Sequence, residues 1–223
     1  MSHALIPLLH LASPALPVGA FSYSQGLEWA VEQGRVRNQT DAGNWIADVL
    51  AYSIARMEAP AVAALLKSWQ ANDAATALRL NGLFLAQRET AEARAESVQM
   101  GHSLTRLLVS LKLPAAAILR EWTEVAYPTA WAAAAAHWQL AEAEALTAYL
   151  WAWLENQVMA AIKLVPLGQT AGQEMLLELS ATIPELAKTA SANAEPENWQ
   201  NFTPGLAICG SLHETQYSRL FRS

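Results

Sequence analysis

Cysteine is almost missing from this sequence, because its 223 residues include only one, Cys209. One thiol cannot form a disulfide within the chain, so the fold is not a small scaffold held together by disulfides. A lone cysteine is also typical of a reducing compartment, and we therefore expect the protein to be cytoplasmic.

Charge is scarce as well. Charged residues form 15% of the sequence and the formal net charge is −6, whereas soluble domains carry roughly 25% charged residues. No run of lysines and arginines occurs, so the chain lacks the basic footprint of a nucleic-acid-binding protein. Nine tryptophans among so few charges favour apolar surface that a partner or a second copy buries. The alternative is an alanine-rich helical protein.

Two stretches carry no charged residue at all, 1–27 and 125–141. The first contains three prolines and lacks the basic start of a signal peptide. The second is shorter than the about 20 apolar residues that cross a bilayer, and it includes proline, histidine and glutamine. We expect neither stretch to span a membrane.

Motifs for nucleotides and metals are also missing. The motif G-x-x-x-x-G-K-[ST], which holds nucleotide phosphates, does not occur, so any nucleotide chemistry would belong to a partner. His213-Glu214 begins like the zinc motif H-E-x-x-H, but Tyr217 stands where the second histidine belongs. The other four histidines show no ligand spacing, and we predict neither a metal site nor a cofactor.

Strand patterns are absent, and apolar residues recur instead at helical spacing along most of the chain. We predict an all-α fold, with residues 1–223 forming one compact domain of about ten helices joined by short loops. Ile46 to Met57 form a strongly amphipathic helix, which Pro60 should break or restart. The longest helix should continue to Val165 and end at Pro166.

Several single residues indicate where helices end or approach one another. Asn38 and Asp73 are of the types that cap helix N-termini, and Gly34 is of the type that follows a helix C-terminus. Gly101 lies within a helical pattern, which indicates either a close helix–helix contact or a tolerated glycine. The small and polar residues of 188–205 are typical of a mobile surface loop.

The stretch Ser13–Glu28 is the most unusual part of the sequence. Its prolines disfavour a helix, Gly19 permits backbone angles that other residues avoid, and Ser22 and Ser24 are candidate N-caps for the helix that follows. A rigid, uncharged loop of this kind usually presents a surface to a partner. The alternative is a helix entry that packs into the core.

Part of this loop has a catalytic alternative. Ser22–Gly26 resembles the nucleophile elbow G-x-S-x-G, with serine in place of the first glycine. The elbow needs a strand before it and a parallel sheet around it, and neither is predicted. A serine hydrolase that uses Ser24 is therefore kept only as an alternative.

The last eleven residues, His213–Ser223, combine arginine with aromatic and aliphatic residues. These residue types include those most enriched at binding hot spots. The segment is thus either a binding tail or a frayed chain end.

Four segments resemble, in the same order, segments of the UreF family of urease accessory proteins. They are Leu16–Glu28, Glu89–Leu104, Lys163–Gln169 and His213–Ser223. They are distributed along essentially the full chain. Ala20 stands where many relatives have a second glycine. Alanine disfavours the left-handed backbone angle that a glycine at position 20 would permit.

The resemblance implies an all-helical, dimer-forming and non-enzymatic protein that acts in the nickel-dependent maturation of urease. Family members bind a second accessory protein, UreD (UreH in some systems). That complex recruits the GTPase UreG and docks on the urease apoprotein, and GTP hydrolysis accompanies nickel delivery. We therefore expect an adaptor or a GTPase regulator. A purely architectural helical dimer is the alternative.

We expect the partner contacts to lie in three of these segments. The tail 213–223 would order against UreD, and the loop and the turn Lys163–Gln169 would face UreG. Lys163 itself is either a contact or a lysine that extends from a helix end. The candidate partner-binding residues are Pro17, Gly19, Phe21, Ser22, Ser24, Gln25, Gly26, Glu28, Lys163, Pro166, Gly168, Gln169, His213, Tyr217, Arg219, Leu220, Phe221 and Arg222.

Overall fold

A computed structural model describes residues 4–201 and 203–223, so that His3 and residue 202 of the predicted loop lie outside it. In these ranges the regular structure is entirely helical, which confirms the all-α class. The α-helices are α1 (Leu5–Ala12), α2 (Leu27–Glu32), α3 (Gln39–Val49), α4 (Ala59–Gln70), α5 (Ala74–Ala86), α6 (Ala91–Ser110), α7 (Pro114–Leu119), α8 (Tyr127–His137), α9 (Glu142–Leu164), α10 (Gln169–Ser180), α11 (Ile183–Ala192) and α12 (Pro204–His213).

The alanine-rich helix α8 lies at the centre of the fold. It packs against α4 and against α6, and its alanines from Ala130 to Ala135 are buried. Small side chains allow helix axes to approach closely, so the alanines form part of the core. The long helix α9 contacts α1, α4, α10 and α11, so it packs helices from distant parts of the chain together.

Pro60 does not break the helix in which it lies, and this prediction was wrong. The helix runs without interruption from Gln39 to Gln70, and Leu50–Glu58 is π-helical, with the Ala59 N–H donating to the Ile54 carbonyl. Pro60 cannot donate to the Arg56 carbonyl, which instead accepts from the Gln200 N–H at 3.0 Å. A distant segment thus supplies the missing donor.

The run Gln39–Gln70 is also long and apolar enough to cross a bilayer by length and composition. In its most apolar window, 78% of the residues are buried inside the protein. A helix in the core of a protein can have the same length and apolar composition.

Three predicted helix ends are confirmed, but the N-cap of α2 is Gly26, with no side-chain cap, and neither Ser22 nor Ser24 as predicted. Asn38 accepts from the Asp41 N–H at 3.0 Å and Asp73 accepts from the Thr76 N–H at 2.9 Å. Gly34 follows α2 with φ +68°. A Cβ on Gly101 would lie 1.9 Å from the Val125 carbonyl oxygen, so this glycine permits a close approach to the segment that leads into α8.

The start of the predicted loop 188–205 needs correction, because Lys188–Ala192 forms the end of α11. Ala187 and Ala190 are buried on its inner face, and alanine is a strong helix former. Further along, Trp199 is buried and donates its indole N–H to the Ala194 carbonyl at 3.0 Å. The mobility of the segment stays a prediction.

Candidate partner-binding site

The N-terminal loop Ser13–Gly26 owes its shape to two left-handed glycines. Gly19 and Gly26 both have φ +80°, and Gln25 has φ +52°. Ala20 is not left-handed, because the short 3-10 turn Ala20–Ser22 begins there. The substitution of a second glycine by alanine is therefore compatible with this backbone.

The C-terminal tail folds back onto this loop. The Ser223 carbonyl oxygen accepts from the Ser24 N–H at 2.6 Å, the Gln25 N–H at 3.0 Å and the Ser24 hydroxyl at 2.8 Å. The Arg222 N–H donates to the Ser22 carbonyl at 2.8 Å. Residues about 200 positions apart thus form one unit, and the tail is neither frayed nor detached.

Glu28, in the first turn of α2, is the main acceptor for the tail. Its carboxylate accepts from the Leu220 N–H at 2.6 Å and from the Phe221 N–H at 2.9 Å. The same carboxylate lies 3.2 Å from Nε2 of His213. A buried carboxylate that accepts backbone N–H groups fixes the chain direction as well as its position.

His213, at the end of α12, is fully buried between two carboxylates. Its Nδ1 lies 2.8 Å from Glu92, on the side of the ring opposite Glu28, and Arg219 donates to the other oxygen of Glu92 at 2.7 Å. The two glutamates approach different ring nitrogens, so they do not converge on one point as metal ligands would. Within residues 4–201 and 203–223 no cluster of three metal-ligating side chains is present.

Gln25 connects the loop and the tail to two further helices. Its side-chain N–H donates to Glu96 of α6 at 2.7 Å, and its side-chain carbonyl accepts from the indole N–H of Trp153 in α9 at 2.8 Å. Glu96 also accepts from the Ser223 hydroxyl at 2.8 Å. Burial raises the pKa of Glu96 to about 7.

Lys163 provides the link between the tail and the turn after α9. Its Nζ lies 5.7 Å from the centroid of the buried Phe221 ring, a cation–π geometry. Pro166, Gly168 and Gln169 follow as an exposed turn. The helix that begins there, α10, packs mainly against α9 and α3.

Of the predicted site residues, Gly19, Ser22 and Gln25 are half-buried, and the others divide into an inner and an outer set. The inner residues Ser24, Gly26, Glu28, His213 and Phe221 are buried and bind the tail to the protein. The outer set is exposed and forms the surface that a partner could contact. It consists of Pro17, Phe21, Lys163, Pro166, Gly168, Gln169, Tyr217, Arg219, Leu220 and Arg222. Phe21 and Leu220 are 67% and 66% exposed, so their apolar side chains are accessible to a partner.

Three residues of this unit were not predicted: Glu92, Glu96 and Trp153. The two glutamates are four residues apart in α6, so they lie on one face of the helix. They belong to the segment Glu89–Leu104, which carried the family resemblance, and this signal could have been used to find them. Trp153 was assigned only to an apolar helix face, and its indole N–H gave no signal in the sequence.

A cavity of about 220 Å³ lies beneath the loop, between α6 and α9. A buried ion pair forms part of its wall, in which Arg88 donates to Glu58 at 2.8 Å. The hydroxyl of Tyr149 donates to the other oxygen of Glu58 at 2.7 Å. Burial and the neighbouring Glu58 raise the pKa of Tyr149 well above its ordinary value.

Ser24 is not arranged as a nucleophile. It is fully buried, its hydroxyl donates to Ser223, and it accepts from the Glu28 N–H at 3.3 Å. Both ring nitrogens of the neighbouring His213 face glutamates. A serine nucleophile needs a base within hydrogen-bond reach and access to substrate, so the hydrolase alternative has no support in this geometry.

Comparison with known proteins agrees with the resemblance found in the sequence. The family model of UreF matches residues 36–180. A urease accessory protein UreF from Azoarcus sp. (strain BH72) is 60% identical, over 98% of this chain and 95% of the relative. UreF from Dechloromonas aromatica (strain RCB) is 57% identical, over 98% and 97%, and UreF from Methylobacillus flagellatus is 46% identical, over 100% and 99%. The chain, with its interlocked loop and tail, belongs to the UreF family of urease accessory proteins.

Proposed function

We propose that this urease accessory protein is a non-enzymatic adaptor in the insertion of nickel into urease. It binds UreD (or UreH), recruits or regulates the GTPase UreG, and brings both to the urease apoprotein. Its membership of the UreF family supports this role. The lack of a phosphate-binding motif in its sequence is consistent with GTP hydrolysis by a separate chain.

One observation carries the proposal, namely that the loop and the tail form a single surface. The buried pairs of Glu28 and Ser24 with the tail keep the exposed side chains of both segments in fixed positions. Tyr217 and Leu220 project from the tail, and Phe21 projects from the loop. Exposed aromatic and aliphatic side chains on segments that are held in place favour protein association, because less conformational freedom is lost on binding.

We assign the tail side of this surface to UreD and the loop side, with the turn Lys163–Gln169, to UreG. Two copies of the chain act together as a homodimer, and nickel is the cargo of the assembled complex. The work takes place in the cytoplasm, as the single cysteine suggests.

Co-purification tests the proposal directly. The tagged full-length chain is expressed with UreD, UreG and the urease subunits, and both the retained proteins and nickel-dependent urease activity are measured. We expect retention of UreD and UreG and an activity that requires this chain. If the chain purifies alone and urease matures without it, the adaptor role is refuted.

Surface variants then separate the two sides. Tyr217→Ala with Leu220→Ala should weaken UreD retention, whereas Leu177→Ala, which removes an equally exposed residue of α10, should not. GTP hydrolysis by UreG with and without the chain separates a regulator from a purely architectural dimer, because only a regulator changes the rate.

A further inference from the structure

The last residue of the tail covers a buried carboxylate. Glu96 is 7% exposed, and its two oxygens accept from the Gln25 amide at 2.7 Å and from the Ser223 hydroxyl at 2.8 Å. Both donors are neutral. Ser223 is itself held in place through three hydrogen bonds from Ser24 and Gln25 to its carbonyl oxygen.

A buried carboxylate with only neutral partners favours its protonated form. The nearby Arg88 donates its hydrogen bond to Glu58 rather than to Glu96. A protonated Glu96 keeps both contacts, because one oxygen still accepts from Gln25 while the acid O–H donates to the Ser223 hydroxyl. An ionised Glu96 has the same two neighbours and gains no cation from them.

We propose that residues 214–223 form a proton-linked latch, which closes over protonated Glu96 and opens more readily when Glu96 is ionised. Release of Ser223 would let water reach the carboxylate. The latch is a property of this chain alone and does not depend on the identity of any partner.

The direction of the pH dependence follows from the two states of Glu96. Burial raises its pKa from 4.5 to about 7 in the closed latch, and exposure on opening returns the pKa toward its ordinary value. The closed state therefore binds the proton more tightly. Closure is strongest at acid pH, weakens as pH rises through 7, and becomes constant above about pH 8. Between pH 5.5 and 7 the ratio of closed to open latch should fall by up to about 15-fold, and by pH 8 by up to about 30-fold.

Other ionisable groups surround this cluster and must be separated from Glu96. His213 is the most important, because it lies between the two carboxylates that also receive tail residues. The set comprises Tyr23, Glu28, Glu58, Arg88, Glu89, Glu92, Tyr127, Tyr149, Glu155, Lys163, His213, Arg219, Arg222 and the α-carboxyl group of Ser223.

A fluorine probe at Phe221 reports the latch, because this ring is buried when the tail is closed. The full-length chain carries 4-fluorophenylalanine at this position, and ¹⁹F NMR between pH 5.5 and 8 measures the closed and open populations. We expect the open fraction to rise through pH 7 and to level off near pH 8. Glu96→Gln, which mimics the protonated acid, should remove most of this pH dependence. Glu155→Gln, which removes a half-buried carboxylate elsewhere on the cavity wall, should keep it.

If the open fraction is too small to detect by ¹⁹F NMR, a second measurement tests the latch. The side-chain carboxyl carbon of Glu96 is titrated by ¹³C NMR in the full chain and in Glu28→Ala, which removes the main acceptor of the tail. We expect a pKa near 7 in the first and a lower pKa in the second. The proposal is overturned if both pKa values agree, or if Glu96→Gln keeps the pH dependence of the unmodified chain.

Discussion

Glu28 and His213 are separated by 185 positions in the sequence and lie 3.2 Å apart in the fold. One residue begins the helix after the N-terminal loop, and the other ends the helix before the tail. Because Glu28 also accepts from the backbone of Leu220 and Phe221, the pair brings the two ends of the chain together. The surface assigned to partners depends on this junction.

Removal of the Glu28 carboxylate should release the tail. Glu28→Ala leaves two backbone N–H groups and His213 without their acceptor, and each unsatisfied buried donor costs about 1–3 kcal/mol. The tail can recover these hydrogen bonds only by moving into water. We expect faster amide hydrogen exchange in residues 214–223, measured by mass spectrometry, with little change in the core helices.

Glu32→Ala is the matched control for this variant, because Glu32 lies one turn later in α2 and is exposed. It should leave the exchange of the tail unchanged. Equal protection of the tail in both variants would contradict the assigned role of Glu28.

Gly101→Ala should destabilise the whole protein. The new Cβ would meet the Val125 carbonyl oxygen at 1.9 Å, and a backbone atom cannot yield as a flexible side chain can. Overpacking of this kind costs about 1–3 kcal/mol or more, which should lower the midpoint of thermal unfolding.

Gly82→Ala should have the opposite effect on stability, because nothing lies within 4 Å of the Cβ that it adds to helix α5. Alanine is favoured over glycine there by up to about 1 kcal/mol, so the midpoint should rise slightly. A similar loss of stability in both variants would show that the close approach at Gly101 is not the cause.

The buried pair of Glu58 and Arg88 should show strong coupling. Arg88→Met leaves the Glu58 carboxylate buried without its cation, which costs about 3–5 kcal/mol. Glu58→Gln combined with Arg88→Met should recover much of this loss. Chemical denaturation of the single and double variants measures the coupling energy.

The exposed pair of Arg120 and Glu121 is the comparison for this cycle. Its loss in Arg120→Met should change stability by less than about 1 kcal/mol. A double variant no more stable than Arg88→Met alone would mean that the charge of Glu58 is not what destabilises the single variant.

Lys163→Met tests whether the lysine acts through its charge. The substitution keeps the aliphatic stem but removes the cation over the Phe221 ring, an interaction of about 0.5–1 kcal/mol at exposed sites. We expect a modest rise in tail exchange and weaker retention of UreG. Lys188→Met, in an exposed pair on α11, should change neither. Unchanged retention of UreG in Lys163→Met would make Lys163 a structural residue only.

Local sequence was sufficient for most of the helical framework. Asn38 and Asp73 cap their helices through contacts three residues away, and Gly34 ends α2 by its own backbone angle, so these features follow from short-range chemistry. Pro60 was predicted wrongly because its missing hydrogen bond is replaced by Gln200, a residue far along the chain. The helical end of α11 was missed because small polar residues can also form helices when buried alanines anchor them.

The sequence by itself determined the all-α class, most helix ends and the family of this protein, since periodicity, capping residues and motifs are properties of neighbouring residues. Only the tertiary structure decided which site residues face outward. Ser24, Glu28 and His213 have residue types that suit a binding surface, yet they are buried and bind the tail. Their role depends on contacts between segments that are nearly 200 residues apart, and local patterns carry no information about such contacts.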